Sequence, residues 1–176
     1  MSVDSNGNAD GSSSTNVESE EFDVIIVGAG AAGIGVAIAL LHSGVENFLI
    51  VDRSTVGSSF AAWPEETKFI TPSFPSNSIG MLDLNSIAIG ISPAFTMRVE
   101  HPTGKQFAAH LQDIANYFEL PVEEDTDIKS IEKIDDMFHL GTDEGVLLSK
   151  NVIWAAGEYQ YPNLAGFEGS DLCRHT

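Results

Sequence analysis

The spacing of hydrophobic residues predicts a strand, a helix and a second strand in the first third of the chain. Residues 22–27 form an apolar run that predicts a strand. Residues 30–42 predict a helix, which ends near Gly44, because three apolar residues fall on one helical face: Ile34, Ile38 and Leu41. Residues 47–52 are again nearly all apolar, as in parallel strands that are buried on both faces. This order indicates an α/β fold.

The pattern changes between Ser54 and Pro102, where prolines and serines separate isolated apolar residues. We expect this segment, called the excursion below, to be irregular, and connections of this length in compact domains are usually functional. Five apolar side chains are expected to hold it against the domain: Trp63, Phe69, Phe74, Met81 and Phe95.

A helix is predicted directly after the excursion. Thr103 and Gln106 have the spacing of a capping box, and Pro121 prevents the helix from continuing. One apolar stripe at helical spacing supports it: Phe107, Leu111, Ile114 and Phe118.

The remaining patterns predict strands. A short strand is expected over residues 120–122, and one with a bulge over 126–134. Strands over 137–141 and 146–149 complete an antiparallel meander, because an acidic Gly-containing turn separates them. A further buried strand is expected over 151–154, before three small residues that let a ligand or backbone come close: Ala155, Ala156 and Gly157.

The most informative chemistry lies at the first strand-to-helix junction, where residues 23–35 have the sequence DVIIVGAGAAGIG. A strand that turns through Gly-x-Gly-x-x-Gly into a helix points free backbone N–H groups, and the positive end of the helix dipole, at a diphosphate. Gly28 provides the tight turn, Gly30 lets phosphate approach, and Gly33 lets the helix pack on the sheet. Asp52, which follows Gly28 by 24 residues and ends the second strand, can bind a ribose hydroxyl. We therefore expect a dinucleotide site that also includes Ala31.

The same stretch has a rival interpretation as a membrane span, because Val24 to Leu41 contains no charged or strongly polar residue. Its length would qualify only marginally. It holds four glycines, and the segment before it carries acids and no lysine or arginine, whereas signal peptides and cytoplasmic anchors favour basic flanks. We therefore prefer the strand-turn-helix interpretation and expect no membrane partner.

Composition adds an acidic surface and a flexible tail. The chain has 26 acidic and 8 basic residues, a net charge of −18, and a surface this negative repels nucleic acid and anionic lipid. Dispersed acidity with few lysines suggests a halophilic protein, since strong salt screens the self-repulsion. Residues 1–21 are mostly polar and are expected to be a disordered acidic tail, so that one folded domain spans 22–176.

Cysteine and histidine usage limits the chemistry. Cys173 is the only cysteine, so this chain can form neither an internal disulfide nor a Cys-x-x-Cys dithiol, which fits a reducing cytoplasm. The five histidines show no metal-ligand spacing, and we expect no metal site.

Several segments together resemble one family. They are VIIVGAGAAGIG, FLIVDRSTVGSSFAAW, TDIKSIEKID and VIWAAGEYQYPNLAGFEG. The family is that of flavoproteins with two dinucleotide-binding domains, which includes pyridine-nucleotide-disulfide oxidoreductases and flavin-containing monooxygenases. Within it, the chain is most similar to a group of FAD-dependent pyridine-nucleotide-disulfide oxidoreductases through FITPSFPSN, LDLNSIA, SPAFT and EHPTGKQ. The resemblance covers about residues 22–176.

The resemblance implies a Rossmann-like FAD/NAD(P)-binding domain, with a parallel sheet, helices and an antiparallel β-meander. It implies FAD, with the pyrophosphate on the glycine turn and the adenosine ribose on Asp52. Six further positions would lie along the cofactor: Arg53 near the adenine, Ser59 and Trp63 past the flavin ring, Ile128 at the adenine, and Ala156 and Gly157 along the pyrophosphate and ribitol. Loop packing is the alternative for Trp63, a turn role for Ser59, and a solvated cation for Arg53.

Three functions stay open at this point. The first is the FAD-binding portion of an NAD(P)H-dependent oxidoreductase, in which hydride passes from nicotinamide to flavin in the complete enzyme. Relatives continue into an NAD(P)H-binding domain, so we expect this chain to be a truncated amino-terminal part that is inactive alone. The second is an NAD-binding dehydrogenase domain, which would have no reason to carry the meander and the WAAG segment. The third is a catalytically silent remnant. No residues are paired for acid-base catalysis, and no catalytic residue is assigned.

Overall fold

A computed structural model describes residues 20–74, 83–158 and 166–172. Within these ranges one mixed sheet contains six strands: β1 (Glu21–Val27), β2 (Phe48–Val51), β3 (Val122–Glu123), β4 (Ser130–Ile134), β5 (Met137–Gly141) and β6 (Val146–Trp154). Their order across the sheet is β3-β2-β1-β6-β5-β4. The first four strands in this order are parallel, whereas β5 and β4 pair antiparallel at the other edge. The α/β class and the meander are confirmed.

The helices of the described ranges are α1 (Ala31–His42), α2 (Ser58–Ala61), α3 (Pro93–Met97) and α4 (Gly104–Tyr117), followed near the end by a 3₁₀ turn (Ser170–Leu172). α1 ends as predicted, with Gly44 at φ +79° in the left-handed region that glycine favours. α4 begins with the predicted capping box. The Thr103 hydroxyl accepts the Gln106 N–H at 3.2 Å, and the Gln106 side-chain oxygen accepts the Thr103 N–H at 2.9 Å.

The two faces of β1 and β2 bury two separate sets of side chains, because successive residues of a strand point to opposite sides. On one face, Val24, Ile26 and Ile50 pack against α1 and α4. On the other face, Ile25 and Val51 belong to a second cluster of buried side chains that includes Leu140 of β5. Both faces of these strands are therefore covered, as their apolar sequences predict.

β6 is one continuous strand, whereas the sequence predicted two separate strands over 146–149 and 151–154. Residues 146–149 pair with β5, and residues 148–154 of the same strand pair in parallel with β1. The polar residues Lys150 and Asn151 between the two apolar runs do not break the strand, and both bond to Asp23 of the neighbouring β1. Lys150 donates to the Asp23 carboxylate at 2.7 Å, and the Asn151 side chain donates to the Asp23 carbonyl at 3.0 Å. The prediction of a buried last strand is also wrong, since Trp154 is 62% exposed.

Other predicted boundaries shift by a few residues. β1 starts at Glu21, one residue earlier than expected, and residues 1–19 lie outside the described ranges. β4 starts at Ser130, and its pairing with β5 is regular, so the bulge expected over 126–134 does not occur in this hairpin. β3 covers Val122–Glu123 rather than 120–122.

The excursion contains two short helices, α2 and α3, that its sequence did not indicate. Trp63 and Phe69 pack as expected, with ring centroids 5.2 Å apart. Phe74 and Phe95 do not, since they are 43% and 63% exposed. Met81 lies outside the described residues.

The stretch from Val24 to Leu41 is not one helix. It is divided among β1, a turn and α1. In the described ranges, the structure has no helix with the length and hydropathy that a membrane crossing requires.

Candidate functional site

Three parallel strands end beside one another at a single edge of the sheet. In their register, Val27 of β1 is paired with Val51 of β2 and with Trp154 of β6. The Gly28 N–H donates to the Val51 carbonyl at 2.7 Å, and the Ala155 N–H donates to the Val27 carbonyl at 2.7 Å. The residues that follow these strands therefore meet at the carboxyl edge, where open α/β sheets bind their ligands.

Two glycines of the turn are required by close packing. Gly28 has φ +112°, and a Cβ there would lie 2.7 Å from the Ala155 carbonyl carbon and closer still to its oxygen. A Cβ on Gly33 would collide with the Gly28 carbonyl oxygen. Both contacts are with backbone atoms, which cannot move aside as a flexible side chain can. They explain why a methyl group is excluded at Gly28 and at Gly33.

Gly30 is different, because no other part of the described structure lies within 4 Å of where its Cβ would be. It is the N-cap of α1, with φ −81°, and no side chain of the described residues caps the helix there. The first helical bond runs from the Ile34 N–H to the Gly30 carbonyl at 3.0 Å. The N–H groups before Ile34, including that of Ala31, have no partner within the helix and are available to an anion.

Asp52 is fixed beside this turn by two backbone donors. One carboxylate oxygen accepts the Ala29 N–H at 2.7 Å, and the other accepts the Ser54 N–H at 2.9 Å. The side chain is only half-buried. Since an ionised carboxylate has about four acceptor positions, two of which are used, it can still accept hydrogen bonds from hydroxyl groups.

An acidic loop after β3 adjoins Asp52. The Thr126 N–H donates to the Asp52 carbonyl at 2.8 Å, and the Asp125 N–H donates to the Ser54 carbonyl at 3.2 Å. Glu124 accepts the Val56 N–H through its carboxylate at 2.9 Å. Arg53 is the cation next to Asp52 in sequence, and its side chain is exposed.

The other predicted positions divide into two groups. Ala156 and Gly157 follow β6 at the same edge, and the Ala156 Cα would lie 3.0 Å from a Cβ on Gly28. Gly157 has φ +81°. Ile128 is half-buried against the second cluster, which also contains Val27 and Val51. These three residues therefore approach the strand ends that carry the turn.

Ser59 and Trp63 lie on and just after α2. The Gly57 N–H donates to the Ala29 carbonyl at 3.0 Å, so α2 begins beside the glycine turn, and Ser59 is exposed there. Trp63 instead packs against Phe60, with ring centroids 5.3 Å apart, and against Phe69. The structure thus gives Trp63 the packing contacts that the loop-packing alternative requires.

The glycine turn and Asp52 form one corner of the domain, and two residues of this corner were missed from the sequence: Ala29 and Ser54. They act through backbone N–H and C=O groups, which every residue carries, so their side chains gave no signal. Only their positions in the sequence could have indicated them, since Ala29 lies between two motif glycines and Ser54 lies two residues after Asp52. Ala155, in contrast, was expected from the sequence as a small residue that lets backbone come close.

A central parallel strand that turns through glycines into a helix, with an acid fixed after the next strand, defines a Rossmann-like nucleotide-binding domain. The comparisons give the family. The profile of the pyridine nucleotide-disulphide oxidoreductases matches residues 25–176, and the chain belongs to this family of flavoprotein oxidoreductases. The resemblance inferred from the sequence segments is confirmed.

Two curated relatives are similar in sequence. CzcO, an uncharacterised oxidoreductase of Bacillus velezensis, is 30% identical over 125 residues, which are 70% of this chain and 33% of that protein. An uncharacterised CzcO-like oxidoreductase of Geobacillus kaustophilus is 34% identical over 70 residues, or 40% of this chain and 20% of that protein. The aligned regions thus span a third or less of these relatives.

Solved structures share the fold. Bacillithiol disulfide reductase from Staphylococcus aureus superposes with a TM-score of 0.73 at 23% identity, covering 87% of this chain and 43% of that one. A flavin-containing monooxygenase from Stenotrophomonas maltophilia gives a TM-score of 0.61 at 20% identity, covering 84% of this chain and 42% of that one. The chain spans less than half the length of these proteins.

Proposed function

We propose that this chain binds FAD at the Gly28–Gly33 turn and Asp52, as the flavin-binding part of an NAD(P)H-dependent oxidoreductase. One observation carries the proposal. The uncapped start of α1 and the carboxylate of Asp52 are held in one corner by the 2.7 Å bond from the Ala29 N–H. An anion-binding group and a hydroxyl-binding group are thereby adjacent, as the diphosphate and ribose of a dinucleotide are.

The diphosphate would be held by backbone alone. The space beside Gly30 is open, so a phosphate can approach the N–H groups at the start of α1. These groups carry the positive end of the helix dipole, which attracts anions. The glycine turn therefore provides the positive potential, and no lysine or arginine is needed for it.

Asp52 would bind the ribose, and its acidic surroundings would select a nucleotide whose ribose carries no 2′-phosphate. The acidic loop after β3, residues 124–127, lies beside Asp52, and its Thr126 N–H donates to the Asp52 carbonyl. A 2′-phosphate placed here would meet several carboxylates and be repelled. The corner accordingly suits adenosine with free ribose hydroxyls, as in FAD, rather than the phosphorylated ribose of NADP.

Membership of a flavoprotein family favours FAD over NAD as the occupant. When bound, the flavin supplies the redox chemistry, and NAD(P)H is the electron donor that we propose for the complete enzyme. The residues of this chain bind and orient the cofactor. Ala156, which lies close to Gly28, and its neighbour Gly157 are small and would leave room for the cofactor to pass along the ends of β1 and β6.

The proposal is tested by Gly30→Ala, with Gly166→Ala as the matched control. Neither glycine has a φ in the left-handed region, and an added Cβ would meet nothing within 4 Å in the described ranges at either position, so both variants should fold. Gly30→Ala places a methyl group where phosphate must approach. We expect its FAD affinity, measured by calorimetric titration, to fall by about tenfold or more, which is at least about 1.4 kcal/mol.

Gly166→Ala should bind FAD like the unmodified chain, and thermal unfolding of the two apo variants should begin at similar temperatures. Equal FAD affinity of Gly30→Ala and Gly166→Ala would show that the turn does not hold the phosphate and would overturn the proposal.

A further inference from the structure

The excursion contains a buried polar network that the proposed function does not use. The Asp83 carboxylate accepts the Ser92 hydroxyl at 2.7 Å and the Asn85 N–H at 3.0 Å. The Asn85 side chain donates to the Ser73 hydroxyl at 2.7 Å. Asp83, Asn85 and Ser73 are each 9% exposed or less. Such groups are costly to bury unless they are bonded, so their bonds depend on the excursion keeping this conformation.

His110 of α4 contacts α3 near its end. Its Nδ1 atom is 2.9 Å from the Thr96 hydroxyl, and its side chain is 2% exposed. Thr96 belongs to the same short helix whose N-cap is Ser92, the partner of Asp83. Helix α3 is therefore held at its start by the Asp83 network and near its end by His110.

The second ring nitrogen of His110 has no partner. Nε2 is buried and unbonded in the described structure. In the neutral ring one nitrogen carries a proton and the other does not, so Thr96 can satisfy Nδ1 in either tautomer. Protonation gives both nitrogens a proton and puts a charged, unbonded donor at buried Nε2. That arrangement costs more than a neutral unbonded group.

The segment attached to this network also covers the domain core. Ile87, Ala88 and Ile91 of the excursion, with Met97 at the end of α3, pack against the cluster formed by α1, α4 and the sheet. The Ile87 carbonyl lies 3.3 Å from where a Cβ on Gly35 would be, which places it against the first half of α1. Residues 83–97 are called the clasped segment below.

We propose that His110 and Thr96, together with the Asp83 network, form an acid-sensitive clasp that holds residues 83–97 against α1 and α4 when the imidazole is neutral and releases them when it is protonated. The clasp couples one buried titratable group to the packing of the excursion. It does not depend on bound FAD.

The charges that face His110 set the pH at which the clasp opens. Burial lowers the pKa of His110, and the carboxylates of Asp113 on α4 and Asp83 in the excursion partly oppose this by raising it. In the released segment the pKa returns toward its ordinary value of about 6.5. The clasped form thus binds the proton less tightly, so its stability is full above this value and declines as the pH falls below it.

Hydrogen–deuterium exchange of the full chain, corrected for the intrinsic pH dependence of exchange, tests the proposal between about pH 8 and pH 5. Peptides from residues 83–97 should lose about tenfold or more of their protection on acidification. Peptides from β1 and β6 should keep theirs. Protection of the clasped segment that does not change with pH, or an equal loss of protection in β1 and β6, would overturn the clasp.

Variants identify the group responsible. His110→Gln removes the titration and should make protection of residues 83–97 independent of pH. Thr96→Val removes the hydroxyl and should lower their protection already at about pH 8. His101→Gln and His139→Gln are controls. His101 lies in the excursion outside the clasped segment, where its Nδ1 atom is 2.9 Å from the Phe69 carbonyl oxygen, and His139 lies in β5. If His110→Gln kept the acid response, or if either control lost it, His110 would not be the switch.

Discussion

Gly33 shows how one hydrogen atom in place of a methyl group decides the geometry of the turn. In a helix interior, replacing glycine with alanine normally stabilises by up to about 1 kcal/mol. Here the added Cβ would collide with the Gly28 carbonyl oxygen. We expect Gly33→Ala to lower the free energy of unfolding by about 1–3 kcal/mol, the usual cost of overpacking.

Urea unfolding of the apo chain measures this difference. Gly30→Ala serves as the comparison, because its Cβ would meet no other part of the described structure. Only the weaker N-cap preference of alanine acts there, so its stability should fall by less than that of Gly33→Ala. A Gly33→Ala chain as stable as the unmodified one would mean that α1 does not pack this closely on the turn.

The sequence predicted the roles of single residues where the role depends on the side chain itself, either its absence in glycine or its carboxylate in aspartate. The motif spacing gave Gly28, Gly33 and Asp52 their places, and the structure puts all three in one corner. It could not show that Ala29 and Ser54 hold the Asp52 carboxylate, since backbone donors leave no mark in sequence. The burial of His110 was equally invisible, because its partner Thr96 comes from a segment without regular patterning.

Helix α4 depends on its first residues for a defined start. The Thr103 hydroxyl accepts the Gln106 N–H, and the bond is exposed. Thr103→Ala should destabilise the chain by about 1 kcal/mol through loss of this cap. Thr103→Ser keeps the hydroxyl and should restore most of the stability in thermal unfolding. Equal loss in both variants would show that the methyl group of Thr103, and not the capping bond, matters.

Elements were predictable where local pattern and tertiary packing agree. α1, α4 and the two buried strands were found because each has an apolar stripe or run that matches the face it buries. β6 was divided in two because residues 149–151 are polar. In the structure the Ser149 hydroxyl donates to the Asn151 carbonyl, and Lys150 and Asn151 donate to Asp23 of the neighbouring strand, so the strand continues. Helices α2 and α3 are too short to produce a periodic pattern.

The whole chain carries a net charge of −18, and its described ion pairs offset little of it. Lys129 pairs with Asp127 at 2.9 Å and Lys150 with Asp23 at 2.7 Å, but all four side chains are substantially exposed. Exposed pairs are worth little, and salt screens them. Relief of repulsion should therefore outweigh their loss as salt increases.

We predict that the melting temperature rises steeply as KCl approaches molar concentration, where the screening length is only about 3 Å. Differential scanning calorimetry in KCl, repeated in sucrose at matched osmolality, separates charge screening from the stabilisation that any excluded solute gives. A melting temperature that does not respond to KCl would contradict adaptation to strong salt.

Titration of the purified chain with FAD, and separately with NAD, determines which dinucleotide the glycine turn and Asp52 bind. Both ligands offer an adenosine diphosphate to this corner, so the comparison isolates the preference for a flavin dinucleotide. We predict that isothermal calorimetry detects a single FAD site and no NAD binding under the same conditions. Binding of NAD without binding of FAD would contradict the proposed function.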